Sequence, residues 1–214
     1  MSEPSESEAA HPRAEKPEFL TEKRFDAFAL PGKLLSALNE AGFVYCTPIQ
    51  EQTLPISLSG RDVAGQAQTG TGKTAAFLAT VITRILKFTE RDPHLPAALI
   101  IAPTRELSHQ IYEEALTFCR LVDLRIAEVV GGVDYKRQAE SLRQGTDIVI
   151  CTPGRIIDYY KQGIFMSSLL SRPMPKGAGF AAISDSCVNP ESSHFRLSFD
   201  PFWGNAQFST RKSG

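Results

Sequence analysis

The stretch Ala67-Gln68-Thr69-Gly70-Thr71-Gly72-Lys73-Thr74 decides how the rest of the chain is interpreted. It lies between a short strand predicted at residues 61–65 and the start of an apolar helix at residues 75–82. A glycine-rich turn between a strand and a helix is typical of a phosphate-binding loop. Its backbone N–H groups converge on an anion at the positive end of the helix dipole.

Each residue type in this stretch has a chemical reason to be there. Gly70 and Gly72 let the backbone wrap closely around phosphate, and Lys73 supplies a point charge. Thr74 offers its hydroxyl to Mg²⁺ bound with the phosphates. The stretch departs from the G-x-x-x-x-G-K-[ST] pattern at its start, where Ala67 replaces the first glycine.

Composition places the chain among ordinary globular proteins. Its 214 residues suffice for one domain, with 42% hydrophobic and 22% charged side chains. The formal net charge of −1 gives no global basic signal, so any contact with nucleic acid has to come from local groups. The acidic N-terminus lacks an apolar stretch, and no run approaches the length of a membrane span. We therefore expect a cytoplasmic protein, whose widely spaced cysteines are reduced thiols.

The order of patterns along the chain predicts an α/β fold with a mostly parallel sheet. Residues 1–24 are rich in Glu, Ser, Pro and Lys, which predicts a disordered tail. Beyond them, apolar runs predict strands, and apolar residues at helical spacing predict helices between them. The predicted strands cover residues 61–65, 97–102, 125–130 and 147–151; the predicted helices cover residues 30–41, 48 onward, 75–82, 107–118, 135–144 and 153–160.

Three polar turns come directly after predicted strands. They are residues 103–107, 131–132 and 152–155. Because ligands collect at the carboxyl ends of strands in such sheets, we expect these turns and the phosphate loop to line one rim. Arg105 and Arg155 suit phosphate, and the glycines allow close backbone approach.

A second candidate for nucleotide recognition lies in residues 42–50. Pro48 suits the first turn of a helix, with Thr47 as its N-cap. Gln50 then lies just inside that helix, where its amide can pair with both a donor and an acceptor on an adenine edge. Taken alone, Gln50 is better interpreted as a solvated helix residue.

Taken together, these stretches resemble the first RecA-like lobe of the DEAD-box ATP-dependent RNA helicases, of the bacterial RhlB type. The resemblance covers residues 25–163 and rests on five motifs in the expected order. It implies ATP and Mg²⁺ as cofactors, with Gln50 on the adenine, Lys73 on the β- and γ-phosphates and Thr74 on the metal ion. The implied nucleotide-binding set is Phe25, Thr47, Gln50, Ala67, Gln68, Thr69, Gly70, Thr71, Gly72, Lys73 and Thr74.

The resemblance also implies RNA as a partner, gripped through its sugar-phosphate backbone. Contacts of this kind carry little sequence information, so we expect sequence-independent and salt-sensitive binding. The implied RNA-binding set is Pro103, Thr104, Arg105, Glu106, Leu107, Gly131, Gly132, Thr152, Pro153, Gly154 and Arg155.

After Gly163 the family pattern stops. No Asp-Glu-Ala-Asp occurs, and residues 164–214 are rich in Ser, Pro and Gly with weak periodicity. We interpret residues 164–214 as an unrelated segment that is disordered or translated out of frame. The chain is then expected to be a truncated helicase that has neither the DEAD motif nor a second lobe. We expect hydrolysis and unwinding near background, because no complete catalytic set is present.

Three alternatives to a helicase fragment stay open on the sequence alone. One is a non-catalytic protein that competes for ATP or RNA, and another is a non-functional product that is degraded. A generic P-loop kinase leaves Gln50 and the turns at residues 103–107 and 152–155 unexplained. The RhlB type further implies a link to the RNA-degradation machinery through an endoribonuclease scaffold. In that family the scaffold docks on the second lobe, so we do not expect this chain to make the contact.

Overall fold

The structure is a computed structural model that describes residues 17–87, 96–164, 179–184 and 192–198. Within these ranges a single 3-10 turn, Phe25–Ala27, precedes the first helix. The helices are α1 (Gly32–Glu40), α2 (Pro48–Leu58), α3 (Lys73–Lys87), α4 (Arg105–Cys119), α5 (Tyr135–Arg143) and α6 (Pro153–Lys161). The strands are β1 (Val63–Gln68), β2 (Ala98–Ile101), β3 (Ile126–Val129), β4 (Ile148–Cys151), β5 (Gly179–Ser184) and β6 (Ser192–Ser198).

The described strands form one sheet in the order β1-β6-β5-β2-β4-β3. Strand β2 pairs in parallel with both β4 and β5, and β4 pairs in parallel with β3. Strand β6 runs antiparallel to both of its neighbours, β1 and β5. The predicted α/β fold with a mostly parallel sheet is therefore confirmed, and the reversed strand comes from the C-terminal segment.

The placement of β5 and β6 differs from what the sequence pattern predicts. We expected no regular structure in residues 164–214, yet 179–184 and 192–198 lie in the middle of the sheet, between β1 and β2. Pairing of Ala98 with Gly179 and of Val63 with Leu197 fixes the register on the two sides. Backbone pairing of this kind covers strand edges that would otherwise be exposed to other chains. Residues 165–178, 185–191 and 199–214 lie outside the described residues.

The core forms on both faces of the sheet. Helices α1 to α4 pack with β1 and β2 around fully buried side chains that include Phe77, Ile100 and Phe118. Leu197 of β6 is only 1% exposed and belongs to the same cluster. A second cluster joins β3 and β4 to α5 and α6 around Tyr159. The apolar stripes predicted from the sequence therefore face the sheet.

The N-terminal tail is shorter than predicted. The backbone N–H of Thr21 donates to the Cys46 carbonyl over 2.8 Å, and the N–H of Cys46 donates to the Lys23 carbonyl over 2.7 Å. Arg24 forms a β-bridge with Tyr45. Disorder was predicted through residue 24, but residues 21–24 pair with the segment before α2. The predicted tail otherwise falls mostly on residues 1–16, which lie outside the described residues.

The cysteines that the structure describes are free and buried, as predicted for reduced thiols. Burial raises the pKa of the Cys46 thiol to about 11. It raises the pKa of both Cys119 and Cys151 to about 12, and these thiols therefore stay protonated and unreactive at neutral pH. Cys187 lies outside the described residues.

Candidate functional site

The loop between β1 and α3 has the geometry of a phosphate cradle. Gly70 and Gly72 take φ angles of 77° and 80°, a left-handed conformation that glycine adopts at little cost. Helix α3 begins immediately afterwards at Lys73 and runs for 15 residues. The first backbone N–H groups of a helix have no carbonyl partner within the helix. An anion at the helix N-terminus can therefore accept hydrogen bonds from them. The residues of this loop therefore fit a nucleotide phosphate.

The lysine of the loop is held by the loop itself. Lys73 Nζ donates to the Ala67 carbonyl over 2.6 Å and also to the Gln68 carbonyl. The Thr71 hydroxyl donates to the same Gln68 carbonyl over 2.8 Å. A phosphate entering the loop would exchange these carbonyl contacts of the ammonium group for stronger charge-assisted ones.

Helix α2 is tied to this loop through two side chains. Gln50 is 1% exposed, and its Nε2 donates to the Gly72 carbonyl over 2.9 Å. Its Oε1 accepts from the Thr47 backbone N–H over 2.8 Å. The Thr47 hydroxyl donates to the Thr71 carbonyl over 2.8 Å. The interpretation of Gln50 as a solvated helix residue is therefore wrong, because its amide joins the start of α2 to the phosphate loop.

The predicted pairing of Gln50 with adenine stays a prediction. One N–H and one lone pair of its amide are engaged inside the protein. A base would have to use the remaining donor and acceptor capacity of the same group.

Phe25 is a fully buried core residue in this structure. Its side chain is 0% exposed and packs edge-on against Phe43, with 6.2 Å between the ring centroids. The resemblance implies an aromatic contact to the nucleotide, and for Phe25 this stays a prediction. In this structure the ring anchors the N-terminal segment to the core.

A groove of about 710 Å³ lies at the carboxyl ends of β2, β3 and β4. Its walls come from all three turns that the sequence analysis singled out. The lining residues are Pro103, Thr104, Arg105, Glu106, Gly131, Thr152, Gly154, Arg155 and Asp158. The three turns therefore meet in one place.

The turn of residues 131–133 lies between two arginines. A Cβ atom built on Gly132, whose φ is +82°, would come within 2.5 Å of Arg105 Nη1. On the other side, Arg155 Nη2 donates to the Val133 carbonyl over 3.4 Å. Two guanidinium groups thus flank one backbone turn at the groove, an arrangement suited to a polyanion.

Three predicted RNA-binding residues have other contacts in this structure, and their role in RNA binding stays a prediction. Leu107 is half-buried against the core, and its N–H donates to the Thr104 hydroxyl over 3.2 Å, which caps α4. Pro153 occupies the first turn of α6. The Glu106 carboxylate accepts hydrogen bonds from the Glu106 backbone and from the Thr104 side chain, which hold the pKa of this carboxyl below its ordinary value. Glu106 thus stays ionised in the groove, where it repels phosphate.

Sequence reasoning missed Asp158, which lines the groove one turn after Arg155 on α6. The spacing of three residues on a helix could have identified it, because such residues share a face. It also missed the residues that surround Arg155: Tyr135, Gln138 and Tyr159.

The nucleotide loop and the groove occupy the same edge of the sheet but not the same cleft. Strands β6 and β5 separate β1 from β2. Three strand spacings of about 4.8 Å put the ends of β1 and β2 roughly 14 Å apart. The expected single rim is therefore divided into two sites.

Neither a built-in metal site nor a membrane span is found in the part of the chain that the structure describes. No group of three or more His, Cys, Asp or Glu side chains among those residues could hold a metal ion. None of the described helices is both long and apolar enough to cross a bilayer. Thr74 is the second residue of α3, and contact of its hydroxyl with a cation stays a prediction.

Comparison with known proteins gives a consistent result. A model of the DEAD/DEAH box helicases matches residues 47–171. The ATP-dependent RNA helicase RhlB of Xanthomonas axonopodis pv. citri (strain 306) is 55% identical over 146 residues, which are 67% of this chain and 26% of that protein. The protein of the same name from Haemophilus influenzae (strain ATCC 51907 / DSM 11121 / KW20 / Rd) is 49% identical over 151 residues, 69% of this chain and 36% of that one.

A solved structure supports the same comparison. The crystal structure of a hypothetical ATP-dependent RNA helicase from Sulfolobus tokodaii matches with a TM-score of 0.55 and 35% identity. The match covers 62% of this chain and 37% of that one. The chain thus spans between about a quarter and a third of the length of the curated relatives it matches.

Proposed function

Because the chain belongs to the DEAD/DEAH box helicase family and matches its RhlB-type members, we propose that it forms the nucleotide-binding and RNA-binding lobe of an ATP-dependent RNA helicase. One observation carries the proposal. A phosphate cradle tied to α2 and a two-arginine groove lie at the same edge of one sheet. Other uses of a phosphate loop would leave the groove without a role.

In this proposal the loop would bind ATP together with Mg²⁺. ATP would supply the phosphoanhydride bond, and Mg²⁺ would neutralise the negative charge when that bond is cleaved. Lys73 would hold the β- and γ-phosphates in place of the carbonyls of Ala67 and Gln68. Thr74 would hold the metal ion through its hydroxyl. Gln50 and Thr47 keep the loop in register with α2, so that base and phosphate are recognised together.

The groove binds the RNA backbone in this proposal. Arg105 and Arg155 contact phosphates, and the Thr104 and Thr152 hydroxyls add hydrogen bonds. Glu106 and Asp158 balance the two arginines, so the lining side chains carry no net charge. Binding is therefore expected to be weak as well as sequence-independent, and to decrease with salt.

We propose that this chain alone turns ATP over at a rate near background. Hydrolysis in this class needs a carboxylate on Mg²⁺, a group that orients water and an arginine on the transferring phosphate. The sequence contains no Asp-Glu-Ala-Asp that would supply the first two.

A second candidate function is a non-catalytic protein that competes for RNA or ATP. The insertion of β5 and β6 between β1 and β2 favours it over a product that is degraded, because it completes one continuous sheet. The link to the RNA-degradation machinery is not part of either proposal for this chain.

The test combines protection, binding and turnover. Mg-ATP is expected to slow proteolysis of the unaltered chain but not of Lys73→Ala. The matched control Lys87→Ala, at the exposed end of the same helix, should retain protection. Labelled RNA should bind in a salt-dependent manner without RNA-stimulated ATP turnover. RNA-stimulated turnover by the chain alone would contradict the proposed loss of catalysis, and absence of Mg-ATP protection would contradict the nucleotide site.

A further inference from the structure

We propose that Gln138, Tyr135 and Tyr159 are positioning residues for Arg155, which hold its guanidinium at the groove in the orientation that a backbone phosphate needs. The inference rests on the proposed RNA binding and identifies the side chains that orient Arg155 on the α6 side of the groove. These side chains come from α5 and α6. They lie outside the phosphate loop and the three polar turns that the sequence analysis singled out.

The amide of Gln138 is the centre of the cluster. Gln138 is 7% exposed, and its Nε2 donates to the Val130 carbonyl over 3.1 Å, which fixes the amide's orientation. Its Oε1 then accepts from Arg155 Nη1 over 3.3 Å. Since Val130 directly precedes Gly131, the amide joins the 131–133 turn to the arginine across from it.

Two tyrosine rings provide a face for the same guanidinium. The Arg155 Cζ atom lies 5.3 Å from the Tyr135 ring centroid and 5.7 Å from that of Tyr159. The rings themselves meet edge-on, with centroids 4.6 Å apart. Contacts of a cation with an aromatic face are attractive and strengthen as water is excluded.

The tyrosine hydroxyls lock this arrangement. The fully buried Tyr159 donates its hydroxyl to the Tyr135 carbonyl over 2.8 Å and lies 3.3 Å from Gln138 Oε1. The Tyr135 hydroxyl donates to Gln162 Oε1 over 2.6 Å. Every polar group in the cluster that faces Arg155 is therefore itself oriented by a neighbour.

Holding Arg155 in place matters because a competing carboxylate lies close in sequence. Asp158 lines the groove three residues later on α6, a spacing at which opposite charges pair on a helix. Among the described residues no ion pair joins Arg155 to Asp158; the arginine instead bonds Gln138 and the Val133 carbonyl. Two of the five N–H groups are used in this way, and the others stay available for an anion. A guanidinium fixed beforehand loses less side-chain freedom when phosphate binds.

The experiment measures RNA affinity in a double-mutant cycle. The full chain, Gln138→Met, Arg155→Ala and the double variant are titrated with a labelled oligouridine of about a dozen nucleotides. Gln138→Met keeps the volume but removes both polar ends of the amide. We expect it to weaken binding about three- to tenfold, and to add nothing further in the Arg155→Ala background. The matched control Gln144→Met, at the exposed end of the same helix, should bind RNA like the unaltered chain.

Two further readouts separate positioning from a merely structural role. The Mg-ATP affinity of Gln138→Met should be unchanged, because the nucleotide loop lies across the sheet. The order parameter of the Arg155 Nε–H group, measured by ¹⁵N relaxation, should decrease in Gln138→Met but not in Gln144→Met. An equal loss of RNA affinity in both backgrounds, or a parallel loss of Mg-ATP affinity, would overturn the inference.

The outcomes also distinguish the inference from the function on which it rests. If the unaltered chain binds RNA and Gln138→Met binds it equally well, the inference alone is wrong. If the unaltered chain binds no RNA, the proposed RNA-binding function is wrong, and the role of the cluster in RNA recognition is wrong with it.

Discussion

Gly132 and Arg105 lie in direct contact across the groove, since a Cβ atom on Gly132 would come within 2.5 Å of the arginine's Nη1. The guanidinium of Arg105 therefore lies directly over the backbone of the 131–133 turn. The absence of a side chain at residue 132 is what permits this approach, and the φ of +82° there is a conformation that other residues adopt only with strain.

Gly132→Ala is accordingly expected to weaken both the fold and RNA binding. The left-handed backbone costs an alanine about 1–2 kcal/mol, and the new methyl group displaces Arg105 from the turn. Thermal unfolding and an RNA titration measure the two effects. The control is Gly32→Ala on α1, outside the groove, whose Cβ would meet nothing within 4 Å and which should change little. Equal effects of the two substitutions on RNA affinity would contradict this account.

Gln50→Ala should loosen the phosphate loop. The substitution leaves the Thr47 N–H and the Gly72 carbonyl without their partner in a buried place, which costs about 1–3 kcal/mol of stability. We expect a lower melting temperature together with weaker Mg-ATP binding, measured by calorimetry. Gln52→Ala, on the exposed side of the same helix, is the matched control. Unchanged Mg-ATP affinity in Gln50→Ala would show that the hydrogen bonds of the Gln50 amide do not set the conformation of the phosphate loop.

Stability should fall as pH rises from about 5 to about 8 because of Glu114 on α4. Burial raises the pKa of its carboxyl from 4.5 to about 7. Between these values the folded chain binds more protons than the unfolded chain, so the free energy of unfolding decreases with pH, by up to roughly 3 kcal/mol in total.

Glu114→Gln removes this titration. Denaturant unfolding of the variant should show a flatter pH profile and greater stability than the parent near pH 8. Glu113→Gln, at the exposed neighbouring position, should keep the parent's profile. A variant profile that still falls as steeply as the parent's would assign the pH dependence to another group.

Leu197→Ala tests whether β6 is an integral part of the sheet. Leu197 is 1% exposed within the main core cluster, opposite Val63 of β1. Its truncation should cost about 2–5 kcal/mol and should also weaken Mg-ATP binding, because β1 carries the phosphate loop. Leu116→Ala, at a leucine that is 42% exposed, should stay within about 0.5 kcal/mol of the parent. A Leu197→Ala variant as stable as Leu116→Ala would remove β6 from the core.

The groove illustrates how far sequence reasoning extends. The turns at residues 103–107, 131–132 and 152–155 were predicted to follow strands and to meet at one edge, and they do. Their polar residue types and their positions after apolar runs are local properties that a single sequence displays. Which side chains line the groove was not fully predicted, since Asp158 lines it from outside the three predicted turns.

The sequence by itself determined the phosphate loop, most of the helices and the first four strands, because turn geometry, capping and apolar periodicity depend on residues close together in the chain. Only the tertiary structure decided that Phe25 is core, that Gln50 holds the loop, and that residues 179–184 and 192–198 separate β1 from β2. Each of these depends on a partner far away in the chain. Strand pairing and burial of single side chains are set by the competition among all such partners, which no local pattern records.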